Sequence, residues 1–349
     1  MNNKSIANKM VKGLKSMVNG QWSMVNIIMA VFFSAIMTTS CICDTINEDL
    51  DHCGTDYTID YTLRLVTNIE TELSTVLRTD VDQEIADALR EALTEHIFRE
   101  FAEDVNLSFY NTSGEQELLQ QEKHQMNAGE ASYTIYLPAR DYMHLAVANI
   151  AGAQTVTLEG DGNCPDSKLV QQKGDTIDSH ATGLFTARVP MEVMSDQDQD
   201  FLVTLYMANS AAAIVIDTTG CNVREVRTFI NKVGDGFCIN DSTYTPTSNS
   251  VIRMNNVTLP ATTNSVCNYG VCFPSDDDGE WEIFCYVTLD DGTITETILT
   301  VETPLEAGQF KIIKAQLSND GSVVPVNASD VGASVTLDWK SGGGYNPSF

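Results

Sequence analysis

The residues that could do chemistry in this chain are nine cysteines, five histidines and a large surplus of carboxylates. Cys41 has the most telling neighbours. It opens the stretch Cys-Ile-Cys-Asp-Thr-Ile-Asn-Glu-Asp-Leu-Asp-His-Cys, which ends at Cys53. Directly before it stand the small residues Thr38, Thr39 and Ser40, closing an uncharged apolar run. A bacterial lipoprotein signal is cut at such a place, and the cysteine becomes a lipid-bearing N-terminus. The usual box has Leu three positions before the cysteine, where this chain has Thr38. Lipidation of Cys41 is the expectation; an ordinary signal peptide or a single spanning helix is the competing one.

With Cys41 acylated, eight thiols remain: Cys43, Cys53, Cys164, Cys221, Cys238, Cys267, Cys272 and Cys285. An even number in an exported chain favours disulfides. Cys43–Cys53 and Cys267–Cys272 are the local pairs expected first. Zinc competes poorly, because no Cys-x-x-Cys exists and His52, His96, His124, His144 and His180 are scattered. Neither a His-Glu-x-x-His nor a Gly-x-Ser-x-Gly occurs, nor a phosphate-binding Gly-rich loop. Asp276-Asp277-Asp278-Gly279-Glu280 and Asp161-Gly162-Asn163 lack the spacing of a calcium loop and read as solvated turns. No catalytic residue, metal or cofactor is expected.

The elements that place these residues begin with an export signal. Lys4, Lys9, Lys12 and Lys15 form a basic region, and Val25 to Met37 an apolar core. That core is nearer to a signal core than to the ~20 residues of a spanning helix. Removing residues 1–40 takes away those four lysines and no acid, so the net charge of −28 becomes −32. Such a balance repels nucleic acid and anionic headgroups, which excludes both as partners. The length of the chain favours two domains.

After Cys53 the period is two: Tyr57, Ile59, Tyr61, Leu63 and Leu65 alternate with polar residues, as in a half-buried strand. The period then changes. Ile85, Leu89, Leu93, Ile97 and Phe101 recur every four residues behind a cap at Thr79 or Asp80, predicting an amphipathic helix over 81–104. Strands are expected again at 105–110 and 131–137, with a turn at Pro138 and Asp141, and at 185–193, 201–207 and 211–216. Residues 158–182 read as loop. A domain boundary falls near 209–220. The second half shows hairpins around Asp290-Asp291-Gly292 and Asn319-Asp320-Gly321, and a last strand over 333–339. Repeated short strands argue for β-sandwiches.

The second half resembles the C-terminal domain of the Bacteroidales fimbrial proteins. The similar parts are Pro304 to Phe310, Asp320-Gly321-Ser322-Val323, and Val331 to Trp339. The first half resembles their lipid-anchored branch, the subunits that fix a fimbrium to the outer membrane. Cys41, Cys43-Asp44, Asp49-Leu50, Cys53, the strand ending Arg64-Leu65, and Leu137-Pro138 with Tyr142 carry that likeness.

The resemblance implies a mainly β protein of two tandem transthyretin-like β-sandwich domains, one amphipathic helix lying in the first. The divisions are a signal at 1–40, a lipidated tether at 41–54, and domains at 55–215 and 216–349. It implies a lipoprotein at the fimbrium base on the outer membrane, held by its acyl chains in the lipid. The partners are fimbrial shaft subunits, the basal one being docked by β-strand complementation. The alternative is a surface lipoprotein acting as an adhesin, tip subunit or carbohydrate binder, with Trp281 and Trp339 as aromatic platforms.

Overall fold

The protein is seen as a computed structural model that describes residues 56–66, 81–97, 102–127, 130–195, 198–245, 250–276, 279–326 and 331–339. The first strand, β1 (Asp56–Val66), is followed by the helix α1 (Gln83–His96). Next come β2 (Asp104–Asn111), β3 (Leu118–Gln125), β4 (Ser132–Pro138), β5 (Asp141–Ala148), β6 (Val156–Glu159), β7 (Lys168–Gln171) and β8 (Thr176–Asp178). Then follow β9 (Phe185–Glu192), β10 (Gln199–Met207), β11 (Ser210–Asp217), β12 (Val223–Asn231), β13 (Gly236–Cys238), β14 (Thr243–Thr245) and β15 (Val251–Arg253). The last are β16 (Asn255–Asn256), β17 (Ser265–Cys272), β18 (Trp281–Leu289), β19 (Ile294–Val301), β20 (Phe310–Leu317), β21 (Val323–Pro325) and β22 (Val331–Trp339). The protein is mainly β with one α-helix among the described residues.

Four sheets result. Seven strands in the order β3-β2-β5-β9-β10-β1-β4 make the largest, in which β1 runs parallel to β10 and antiparallel to β4. A five-stranded sheet, β16-β17-β11-β20-β21, and a six-stranded sheet, β22-β19-β18-β12-β15-β8, lie in the second half apart from β8. A small sheet, β14-β13-β7-β6, takes strands from both halves.

The helix sits where its stripe requires. Ile85, Leu89, Leu93 and Ile97 are buried against Ile59, Leu107, Phe109, Val203 and Leu205 of the seven-stranded sheet. Ala211, Ala213, Val215, Cys267 and Phe310 of the five-stranded sheet belong to the same cluster. The alternate residues Ala212, Ile214 and Ile216 face the other way, into a core shared with Trp281, Ile283, Val287 and Leu299 of the six-stranded sheet. β11 is therefore covered on both faces, which is why Ala211 to Ile216 is an unbroken apolar run. The facing five- and six-stranded sheets form a sandwich. A third cluster joins Tyr110, Leu145 and Val147, on the outward face of the large sheet, to Leu169 and Phe237 of the small one.

The expected turns hold. Gly292 and Gly321 have φ of 86° and 83°, the left-handed region that glycine occupies without strain. At Gly321 a Cβ would also lie 2.7 Å from Thr295 Oγ1, so both backbone and space require glycine. The helix ends at His96 with Ile97 as its cap, short of the expected 104, because Asp104 already begins β2.

Two buried histidines carry a pH dependence. His180 is fully buried between Gln171, Asn209 and Phe273. Its Nε2–H donates to Gln171 Oε1 at 3.0 Å and its Nδ1 accepts from Asn209 Nδ2 at 3.4 Å, so both nitrogens are used by the neutral ring. His144 is also fully buried, stacked 4.4 Å from Phe109. Desolvation lowers the pKa of His144 to about 4 and of His180 to about 3. Each folded value lies below the unfolded one, so the unfolded chain takes the proton first. Stability is complete above the unfolded pKa and falls as the pH drops from about 6.5 towards those folded values. Between pH 6.5 and 5 the pair should lose about 3 kcal/mol. Urea melts across that window should show the falling midpoint; an unchanged midpoint would contradict the burial.

Candidate docking interface

Cys41, Cys43 and Cys53 lie outside the described residues. The other six candidates, Cys164, Cys221, Cys238, Cys267, Cys272 and Cys285, stand as free thiols in the structure. For Cys267–Cys272 the reason is geometric. Both stand on β17, five residues apart, so their side chains leave opposite faces and their Cα atoms are separated by roughly 16 Å. Cys267 packs beside the helix and Cys272 between the facing sheets. A disulfide needs Cα atoms within about 7 Å. Burial pushes the Cys267 and Cys272 thiols up to about 12, and that of Cys285 upward as well, leaving them protonated and unreactive.

Trp281, proposed above as a sugar platform, is fully buried, and its indole N–H donates to Thr303 O at 3.0 Å. It is a core residue, not an exposed ring; the Trp339 side chain lies outside the described part. Asp161 accepts a hydrogen bond from Gln121 Nε2 at 3.0 Å, while Asp277 and Asp278 are outside the described residues. Among the described residues no group of three or more His, Cys, Asp or Glu is placed to hold a metal ion. No described helix is long and apolar enough to cross a membrane.

What the fold does present is an uncovered face. The small sheet shields the outward side of β2 and β5 but leaves exposed apolar residues on β10 and β4. Leu202 and Tyr206 on β10 are each 62% exposed and Tyr136 on β4 is 58% exposed. All three occupy outward positions, since Ile135, Leu137, Val203 and Leu205 alternate with them and are buried. Beside Leu202 and Tyr206 runs a groove of about 800 Å³, with Arg188, Phe237 and Tyr244 among its walls. Arg188 Nε donates to Asn240 Oδ1 at 3.1 Å across it. Large exposed apolar residues on a sheet face suit contact with another protein; here Leu202 and Tyr206 stand on β10 and Tyr136 two strands away on β4, beyond β1. Alternation at 131–137 and 201–207 made the strands legible, but not which part of the sheet the small sheet would cover.

The architecture has solved counterparts. A candidate polysaccharide-binding protein from Bacteroides thetaiotaomicron superposes with a TM-score of 0.51 at 12% identity, over 78% of this chain and 99% of that one. A candidate adhesin from Bacteroides ovatus gives 0.50 at 11% identity, over 83% and 98%. The fold is thus one found in β-rich adhesin-type proteins of Bacteroides. The fimbrial anchor protein Mfa2 from Porphyromonas gingivalis gives 0.45 at 10% identity, over 81% and 99%. No curated protein matches the sequence.

Sequence defines the family more sharply than the fold does. Residues 68–253, more than half of the chain, match the family of fimbrillin-A associated anchor proteins Mfa1 and Mfa2. The chain belongs to that family, one of fimbrial anchor proteins and not of enzymes. Membership implies a place at the cell surface, at the base of a fimbrium, in association with fimbrillin.

Proposed function

We propose that this protein anchors a fimbrium to the outer membrane through an acylated Cys41 and docks the basal shaft subunit by strand complementation. The observation that carries the reading is the family match over 68–253. The uncovered apolar face around Leu202, Tyr206 and Tyr136 supports it, since an anchor needs a partner surface and no catalytic site. Strand complementation combines main-chain hydrogen bonds with pockets for alternate side chains, and the four sheets of the described residues offer several edges for it. Two transthyretin-like sandwiches in series, divided near residue 215, belong to the same reading. In its support, the seven-stranded sheet draws only on residues 56–207, and the facing pair draws on 210–339 apart from β8.

Stable tethering takes more than one acyl chain, which a lipidated N-terminal cysteine supplies. The docking half of the reading is tested by immobilising the full mature chain and passing over it the purified shaft subunit of its own host's fimbrium. Saturable retention is expected. No retention at micromolar concentrations would sink the docking claim.

A further inference from the structure

Strands at sheet edges expose unpaired N–H and C=O groups, and folds blunt them by shortness or by charge. Here the edge strands β6, β8, β14, β16 and β21 have only two to four residues. Two of the longer ones carry charge: β3 has Glu122 and Lys123, and β22 has Asp338. β4, Ser-Tyr-Thr-Ile-Tyr-Leu-Pro, is seven residues long and wholly uncharged. One side of it pairs with β1, and no described strand pairs with the other.

That open side is held by a side chain. Gln120 of β3 donates from Nε2 to the main-chain oxygen of Tyr136 at 3.0 Å. The two edges of the seven-stranded sheet therefore approach each other across a seam, with one side-chain amide where a neighbouring strand would place a main-chain N–H. Gln120 also donates to Glu122 Oε1 at 2.9 Å, and Glu122 Oε2 lies 2.9 Å from His124 Nε2. The inward positions of β3 are thus polar at the point where the sheet fails to close. Because the N–H and C=O of one strand residue point the same way, Tyr136 and, two residues back, Thr134 turn their main-chain groups to the open side. Outside the sheet ladders, neither N–H donates to a main-chain oxygen among the described residues. The exposed side chains of Tyr136 and, on β3, Leu119 stand at the two sides of the seam.

We propose that the open edge of β4 is where an extended segment of the shaft subunit adds as a strand, replacing the Gln120 amide on Tyr136. This rests on the reading that the protein docks a shaft subunit, and it names the strand that does so. A row of alternating N–H and C=O groups is matched by another extended main chain. A second copy of this chain is a poor occupant, since each carries a net charge of −28. The incoming segment is uncharged or basic, with a residue bearing on Tyr136.

Three variants of the full mature chain test this, with the purified shaft subunit as probe. Thr134→Pro removes an N–H on the open side and spares the main-chain ladder to β1, losing there only the exposed Thr134 Oγ1 hydrogen bond to Asp60 Oδ1 at 3.0 Å; edge strands accept proline at such a position. Tyr136→Lys places a charge on an exposed position of the edge and cannot disturb the core. Each should weaken shaft-subunit binding at least about tenfold, while Gln120→Ala should leave it equal or tighter. If Thr134→Pro unfolds the chain by circular dichroism, Tyr136→Lys decides. Wild-type affinity in a folded Thr134→Pro or in Tyr136→Lys overturns the assignment of β4 and leaves docking standing. A wild-type chain that retains no shaft subunit overturns docking itself, and this proposal with it.

Discussion

Replacing Cys41 by alanine should move this protein from the membrane fraction to the soluble one and abolish labelling by a palmitate analogue. The expectation follows from where Cys41 stands, behind Thr38-Thr39-Ser40 at the end of an uncharged apolar run. Each buried CH₂ of an acyl chain contributes about 0.8 kcal/mol, so the chains together dominate any contact the acidic protein makes with lipid. Without residues 1–40 the net charge would be −32, and such a body is itself repelled by anionic headgroups. Loss of the tether should therefore be close to complete. The folded body should be unchanged, with the same melting temperature and the same affinity for the shaft subunit. Label retained in Cys41→Ala would shift the acylation to Cys43 or remove it from the account.

Trp281→Ala should be the most damaging single change in the core. Its side chain is fully buried between the five- and six-stranded sheets, among Ile283, Leu299 and Leu305. Truncating a buried aromatic of this size costs about 3–5 kcal/mol, part of it from the cavity left behind. Trp281→Phe keeps most of the volume but loses the N–H donated to Thr303 O. That oxygen also accepts from Lys311 Nζ at 3.1 Å, so it is not orphaned, and about 1 kcal/mol should be lost. Urea denaturation of the three proteins gives the comparison. A Trp281→Ala chain within 1 kcal/mol of the wild type would mean the residue is not the core element described.

The same residue shows how far the sequence could be read. Trp281 begins an alternating run, which told that it lies in a strand but not which face is covered; that depends on a second sheet brought over it by the chain's later course. The helix was legible because Ile85, Leu89, Leu93 and Ile97 repeat at its own period, and all four are buried. The hairpins around Gly292 and Gly321 were legible because local chemistry fixes them. β3 was not legible. Its inward positions hold Gln120, Glu122 and His124, polar because the sheet stays open there, so no alternation marks the strand. Nor could β6, which runs into 158–182, or β7 and β8 within it be seen, since three or four residues are too few to show a period. The cysteine count could not choose a pairing for a related reason. An even number suits bridges, but pairing depends on which sheet face each thiol leaves, and Cys267 and Cys272 leave opposite ones.

The family match and the uncovered sheet face together make anchoring the central claim. It is tested most directly by deleting the gene in its own host and measuring how fimbriae partition between washed cells and culture medium. If the protein is the anchor, most of the fibre should appear in the medium at unchanged total amount. The wild-type gene should return it to the cells, and the Cys41→Ala gene should not. Fibres of normal length that stay firmly attached to cells lacking the gene would contradict the account.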